Sequence, residues 1–260
     1  VLNLLHVCCA PDLVSTVVKR EELTQSELFF YNPNIFSGEE FLRRYDALRK
    51  VCEKMALDLP EQDHFPEDFS DILDSFGTEH EGGTRCTKCI ELRLRKTACL
   101  AKSIGASSFT TTLLASPRKS IAQITLIGDK LAAEFDIEFI SGNFRAERDK
   151  SRDLLKGVYR QNYCGCLPSK NEAIRNREIN DLRDRERLDK DFKRFVDLWN
   201  FRGNVIPRSR IHLEEISDLK RIIAIVKPSA LFDDIRDPEL EDRRWLKTGS
   251  YNCRIIREKE

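Results

Sequence analysis

Three close pairs of cysteines punctuate this chain: Cys8-Cys9, Cys86-Thr87-Lys88-Cys89 and Cys164-Gly165-Cys166. Two neighbouring thiolates supply half of a four-thiolate metal shell. Three pairs supply more than one tetrahedral zinc or one cubane cluster consumes. A fold that uses them together must return to one place from segments spread over more than half the sequence. The chain opens on the apolar run Val1 to Val7, with no secretory signal and no initiator Met, which reads as a trimmed start. Nine cysteines in that setting point to a reducing compartment, the cytoplasm, and to metal or redox use in place of a disulfide framework.

The first half of the chain alternates short apolar runs with helical patterns. Leu2 to Val7 predicts a buried strand and Asp12 to Lys19 the helix after it. Glu27 to Tyr31 predicts a second strand that stops at the turn Asn32-Pro33-Asn34. Phe41, Tyr45, Leu48, Val51 and Cys52 recur at helical spacing within Gly38 to Met55. A further helix is expected over Arg85 to Ile104, with Cys86 and Cys89 in its first turn. Ser108 to Leu114 then reads as a β-branched strand, Lys119 to Phe135 as a helix and Ile137 to Ile140 as a strand. This alternation predicts an α/β fold, a parallel sheet with helices on both faces. Ligand sites in such sheets lie at the carboxyl ends of the strands, where Cys8-Cys9 and Ser116-Pro117 fall. We expect a metal-binding catalytic domain over 1–169. Residues 170–260 form an extension: a densely charged helix to about Asp197, then a small mixed region with strands near Val205-Ile206-Pro207 and Ile222 to Val226.

Each cysteine segment has its own chemistry. Cys8 and Cys9 follow a strand and open a helix, whose electropositive amino end favours thiolates or metal-bound sulfur. Successive side chains diverge along an extended backbone, so the two are expected to serve neighbouring metals, with Asp12 offering an oxygen one turn on. Read plainly, the same segment is two buried cysteines before a capping Asp. Cys86 and Cys89 lie on one helical face at the spacing of a zinc, iron–sulfur or dithiol pair, and Arg85 and Lys88 flank them as counter-charges or as a solvated basic turn. Between Cys164 and Cys166, Gly165 permits close backbone approach to a cluster, and a C-x-C pair is less common as a zinc clip than as an iron–sulfur one. Tyr159, Arg160 and Gln161 stand just upstream as substrate contacts, or as a core Tyr with polar surface neighbours. Ser116-Pro117-Arg118-Lys119 at a helix start is the candidate phosphate contact.

Composition excludes several classes. There are 44 basic and 44 acidic residues, so a nucleic-acid partner would need a local basic patch. No apolar run approaches the roughly 20 residues that span a bilayer. Charged residues make up 34 % of the chain and there is one Met, a heat-adapted pattern. No dinucleotide or phosphate-loop glycine motif and no serine-hydrolase signature occurs. Cys52, Cys99 and Cys253 read as structural, His6 as packing, and His64, His80 and His212 show no ligand spacing.

In this order, the blocks HVCCAPD, FYNPNI, EGGTRCTKC, FTTTLLASPRKS and YRQNYCGC resemble the cobalamin-independent epoxyqueuosine reductase family, from about Leu2 to Ser169. The resemblance implies a core similar to the HUP (adenine-nucleotide α-hydrolase-like) domains. It implies an iron–sulfur enzyme that reduces epoxyqueuosine to queuosine at the wobble position of tRNA. The family's first motif often ends in Cys where this chain has Asp12, an oxygen in place of sulfur if that position is a ligand. On this footing the metal ligands are Cys8, Cys9, Asp12, Cys86, Cys89, Cys164 and Cys166, shared between a [4Fe-4S] cluster and a second, mononuclear iron. Asp12 and Tyr163 are the candidate catalytic residues. Tyr31, Asn32, Asn34, Arg85, Lys119, Tyr159 and Arg160 are candidate contacts to an anticodon loop bearing epoxyqueuosine. An external electron donor is required and no membrane is. A zinc-stabilised RNA-binding module, a tRNA thiolase and a thiol-disulfide oxidoreductase are the alternatives.

Overall fold

The computed structural model describes residues 2–146, 152–180 and 182–183, and four strands beyond them. The chain divides into two compact units, Val1–Ala173 and Ile174–Glu260.

The first unit is built on a four-stranded parallel sheet of order β2-β1-β3-β4, with β1 at Asn3–His6, β2 at Glu27–Phe29, β3 at Ser108–Thr111 and β4 at Glu138–Phe139. Strand side chains alternate between faces, and both faces are apolar. Leu5 packs into a core with Leu13, Val14 and Val17 of α1 (Ala10–Lys19) and Phe41, Leu48 and Val51 of α2 (Gly38–Met55). Its neighbour Leu4 and Phe109 pack into a second core with Ile90, Leu94, Ala98 and Ala101 of α4 (Thr84–Ser103) and Ile124 and Leu131 of α5 (Ile121–Phe135). Helices therefore cover both faces, and each fully buried Leu or Ile stabilises this arrangement by about 1.5–3 kcal/mol. The helix ends follow capping rules. Ser37 Oγ accepts from Glu40 N–H and Ser120 Oγ from Gln123 N–H, while Ala56 and Asp136 close α2 and α5 in the left-handed conformation.

Three expectations need correction. The run Ser108 to Leu114 is a strand only to Thr111, after which Thr112–Ala115 forms a 3-10 turn. The Thr111 hydroxyl accepts from Leu113 N–H, a local bond that competes with continued pairing. A short helix, α3 (Ser70–Phe76), precedes α4 where none was expected. Cys99 is exposed and is not a core residue.

In the second unit, β5 (Asn204–Pro207), β6 (Arg221–Val226), β7 (Leu246–Thr248) and β8 (Tyr251–Arg257) form a mixed sheet of order β5-β6-β8-β7. Residues 167–180 are helical, and the rest of the charged helix expected to about Asp197 lies almost wholly outside the described residues. No helix among the described residues is long and apolar enough to cross a membrane.

Candidate metal centre

Strands β1 and β3 are neighbours, and their carboxyl ends deliver the first donor set. β1 ends at His6, so Cys8 and Cys9 lie beyond the pleat. Cys9 caps α1 in an extended conformation, with a proline in the first turn that fixes the helix start. The Cys8 N–H donates to Thr112 Oγ1 (2.9 Å), and the Thr112 hydroxyl donates back to Cys8 Sγ (3.1 Å). The Cys8 thiol lies 3.1 Å from Asp12 Oδ2 and 3.8 Å from Cys9 Sγ. Among the described residues, Cys8, Cys9 and Asp12 are the one group of three or more whose donor atoms lie within 4.8 Å of one another. The two thiols converge, against the expected divergence, even though Cys9 is itself extended. A tetrahedral metal with bonds of about 2.3 Å holds its sulfurs roughly 3.8 Å apart, so this group suits a single ion. Burial, then the neighbouring Cys9 and Asp12, push the Cys8 thiol well above its ordinary range. Burial also raises the Asp12 carboxyl, against the hydrogen bonds from Cys8 and Cys9. A cation binding here would displace protons, so its affinity would rise with pH.

The second donor set lies across a shared wall. On α4, Cys86, Cys89 and Arg93 occupy one inward face at i, i+3 and i+7. The Gly82 N–H, presented by a positive φ of 99°, points at Cys86 Sγ (3.2 Å). Cys164 and Cys166 come from a loop in which Gly165 takes φ +148°, and a Cβ there would meet Asn34 Nδ2 at 2.6 Å. The buried Arg44 of α2 clamps that loop by donating to Cys164 O (2.8 Å) and Tyr163 O (3.2 Å), and it pairs with Glu40 (2.7 Å). Cys86, Cys89, Cys164 and Cys166 line one pocket with Asn34, Arg85, Arg93 and Lys119. No three of these cysteines share the close spacing of the first group. A single zinc would require it, whereas a multi-iron cluster binds each sulfur through a different iron and needs a wider cradle. Burial pushes Cys89 up to about 12 and Cys166 up to about 11. Of the described residues, Ser26 Oγ, Asn34 Oδ1 and Arg85 Nε are the buried side-chain polar atoms without a partner. Two of these three residues line the cysteine pocket, as expected where a bound group completes the polar shell. The donor set thus fits an iron–sulfur cluster.

Arg93, Lys119 and Cys164 also line an adjoining cleft of about 280 Å3, together with Cys8, Cys9, Asp12, Glu81, Arg118, Arg160, Gln161 and Tyr163. Of the residues singled out as substrate contacts, Lys119 and Arg160 face this cleft, while Asn34 and Arg85 line the cysteine pocket. Arg85 is pinned there by Glu172 (3.0 Å) and by the carbonyls of Gly77 and Glu79. Tyr31, Asn32 and Tyr159 are engaged elsewhere. The Tyr31 hydroxyl bonds Asp68, Asn32 bridges Val7 O and Arg93, and the Tyr159 hydroxyl meets Glu40 at 3.1 Å. Tyr163 is buried beneath Arg44, whose guanidinium sits 4.9 Å from its ring centroid. Burial first, then Glu40, raises its hydroxyl pKa and keeps it protonated at neutral pH. Arg93, Glu81, Thr112 and Glu172 join the site although the sequence motifs singled none of them out as a candidate. Arg93 alone had a local signal, two helical turns beyond Cys86 on the same face; Glu81 and Glu172 resemble any solvated acid until the fold pairs them with Lys119 (3.2 Å) and Arg85.

A family profile described as "Epoxyqueuosine reductase QueH" matches residues 3–172. Among curated proteins, "Epoxyqueuosine reductase QueH" of Thermotoga maritima is 39 % identical over 172 residues, covering 63 % of this chain and 88 % of that protein. The Helicobacter pylori protein of the same name is 35 % identical over 175 residues, and the chain spans only 48 % of its length. The Acinetobacter baylyi protein of that name is 31 % identical over 193 residues, which cover 71 % of this chain and 87 % of that protein. With about two thirds of its length matched and its cysteine segments inside the match, the chain belongs to the epoxyqueuosine reductase QueH family.

Proposed function

We propose that this chain reduces epoxyqueuosine to queuosine at the wobble position of tRNA. A [4Fe-4S] cluster would be held by Cys86, Cys89, Cys164 and Cys166, and a mononuclear iron by Cys8, Cys9 and Asp12. The observation that carries this reading is the common wall: Arg93, Lys119 and Cys164 line both the enclosed cysteine pocket and the open cleft beside Cys8, Cys9 and Asp12. An electron-storing group and a substrate-facing metal would then be neighbours. The family match supports the same assignment.

The net reaction takes one epoxide, two electrons and two protons to one alkene and one water. The bound cluster and metal supply electrons singly and a Lewis acid for the epoxide oxygen. The side chains of the cleft do the rest. Burial disfavours the Lys119 charge, but the Cys164 and Cys86 sulfurs as thiolates and Glu81 outweigh it, and Lys119 with Arg160 at the rim positions an anionic backbone. Tyr163 keeps its proton and donates it to the departing oxygen. Asp12, which accepts from the Cys8 thiol, would hold the metal. The base enters from a single-stranded anticodon loop, splayed away from its neighbours. A low-potential one-electron carrier reloads the site from outside.

We assign this chemistry to residues 1–169, with 170–260 as an extension outside it, and the parallel 2-1-3-4 sheet supports a HUP-type core. Such an enzyme works in the cytoplasm, where thiols stay reduced. The test is anaerobic incubation with epoxyqueuosine-bearing tRNA and a low-potential reductant, followed by mass spectrometry of the nucleosides. Loss of one oxygen from the modified base is expected. Iron-loaded protein that leaves the epoxide intact, with a known epoxyqueuosine reductase active alongside, would overturn the proposal.

A further inference from the structure

The buried cations around the two donor sets differ in what neutralises them. Arg85 pairs with Glu172 and Lys119 with Glu81. Arg93 is only 2 % exposed, yet among the described residues it forms no ion pair with a carboxylate within 4.0 Å. Its guanidinium is anchored by the Asn32 amide oxygen, and Asn32 is in turn tied to Val7 O (2.9 Å). His6 lies 3.4 Å from Arg93 Nε but offers it no acceptor. The His6 Nε2–H must donate to Tyr31 O (3.0 Å), which leaves Nδ1 to accept from the Thr111 hydroxyl (2.8 Å). Burial, then the Arg93 charge, hold the His6 pKa well below its ordinary value, so the ring adds no competing charge. The remaining face of Arg93 fronts both the cysteine pocket and the cleft.

We propose that Arg93 is a positioning residue whose fixed positive charge serves both centres at once, raising the reduction potential of the group held by Cys86, Cys89, Cys164 and Cys166 and offsetting the charge of the Cys8-Cys9-Asp12 set. This rests on the iron–sulfur reading above. A desolvated charge with no carboxylate paired to it is costly unless it faces opposite charge, and thiolates of the two donor sets would supply that. Burial works against the Arg93 charge, while Cys89, Cys8 and Cys164, drawn from both donor sets, favour it. A permanent cation beside thiolates stabilises the more negative, reduced state of the group they hold. The planar fork also spans from α4 to the end of β1 through Asn32, so one side chain sets both the charge and the spacing.

The experiment compares wild type, Arg93→Gln and Arg93→Lys after anaerobic purification. Iron and acid-labile sulfide are measured first, then the midpoint potential by redox titration read by electron paramagnetic resonance. Wild type without iron or sulfide would defeat the iron–sulfur reading itself, and the inference with it. With wild type loaded, Arg93→Gln is expected to show a more negative midpoint than wild type, and Arg93→Lys to restore most of the difference. An unchanged midpoint in loaded Arg93→Gln would overturn the proposal. If Arg93→Gln takes up no iron, Arg93→Lys decides. A loaded protein with a near-wild-type midpoint supports the role of charge, while a failure to load, or a midpoint displaced from wild type, assigns the role to guanidinium shape and overturns it.

Discussion

Arg44 shows how one side chain can hold a site that it does not enter. It is buried with Glu40, and its remaining donors reach the backbone on both sides of the Tyr163–Cys164 peptide. Arg44→Met would leave the Glu40 carboxylate buried without its cation, and the usual cost of breaking such a pair is about 3–5 kcal/mol. Urea denaturation should show that loss. Iron content should fall with it, because Cys164 and Cys166 lose their clamp; stability within about 1 kcal/mol of wild type would count against the network. Cys52 gives a pH signature free of the metal sites. Burial, then Asp58 and Glu53, push its thiol up to about 12 from an ordinary 9.0. Above pH 9 the unfolded chain releases a proton that the native chain retains, so stability is full below that pH and falls as pH rises toward 12. Cys52→Ala should therefore show a shallower loss of unfolding free energy than wild type between about pH 8 and pH 10. Parallel slopes would refute the assignment. The candidate metal ligands stand out as residues because cysteine pairs at these spacings are rare. Arg93 and Glu81 were not, since a buried cation and a surface one are written with the same letter.

At the scale of elements, α2 was legible because its apolar residues from Phe41 to Cys52 recur at helical spacing. The strand expected through Leu114 failed because β-branched residues favour a strand without saying where pairing stops. That early stop matters, since it turns Thr112 onto Cys8. The contact of α5 with β4 is tight at one point, where a Cβ on Gly128 would lie 2.2 Å from the Phe139 ring. In an exposed helix Gly→Ala would stabilise by about 1 kcal/mol. At Gly128 we expect the opposite, a net loss of about 1–2 kcal/mol from overpacking, seen as a lower midpoint of thermal unfolding. A raised midpoint would show that Phe139 moves aside freely.

For the whole molecule, the parallel sheet explains how distant segments meet. Strands β1 and β3 end at the same edge, α4 enters beside them with two cysteines in its first two turns, and the Cys164–Cys166 loop closes the pocket. The sheet class was readable from strand–helix alternation, but the grouping of the seven candidate ligands into two sets was not, because spacing along the chain does not fix spacing across it. The central claim is that these sets hold different metals. Iron and acid-labile sulfide should be measured on anaerobically purified wild type and on a Cys8→Ala, Asp12→Ala double variant. The account predicts iron in excess of sulfide in wild type and equal amounts in the variant, with the cluster absorption retained. A colourless, zinc-loaded wild type without sulfide, or a variant that keeps the excess iron, would contradict it.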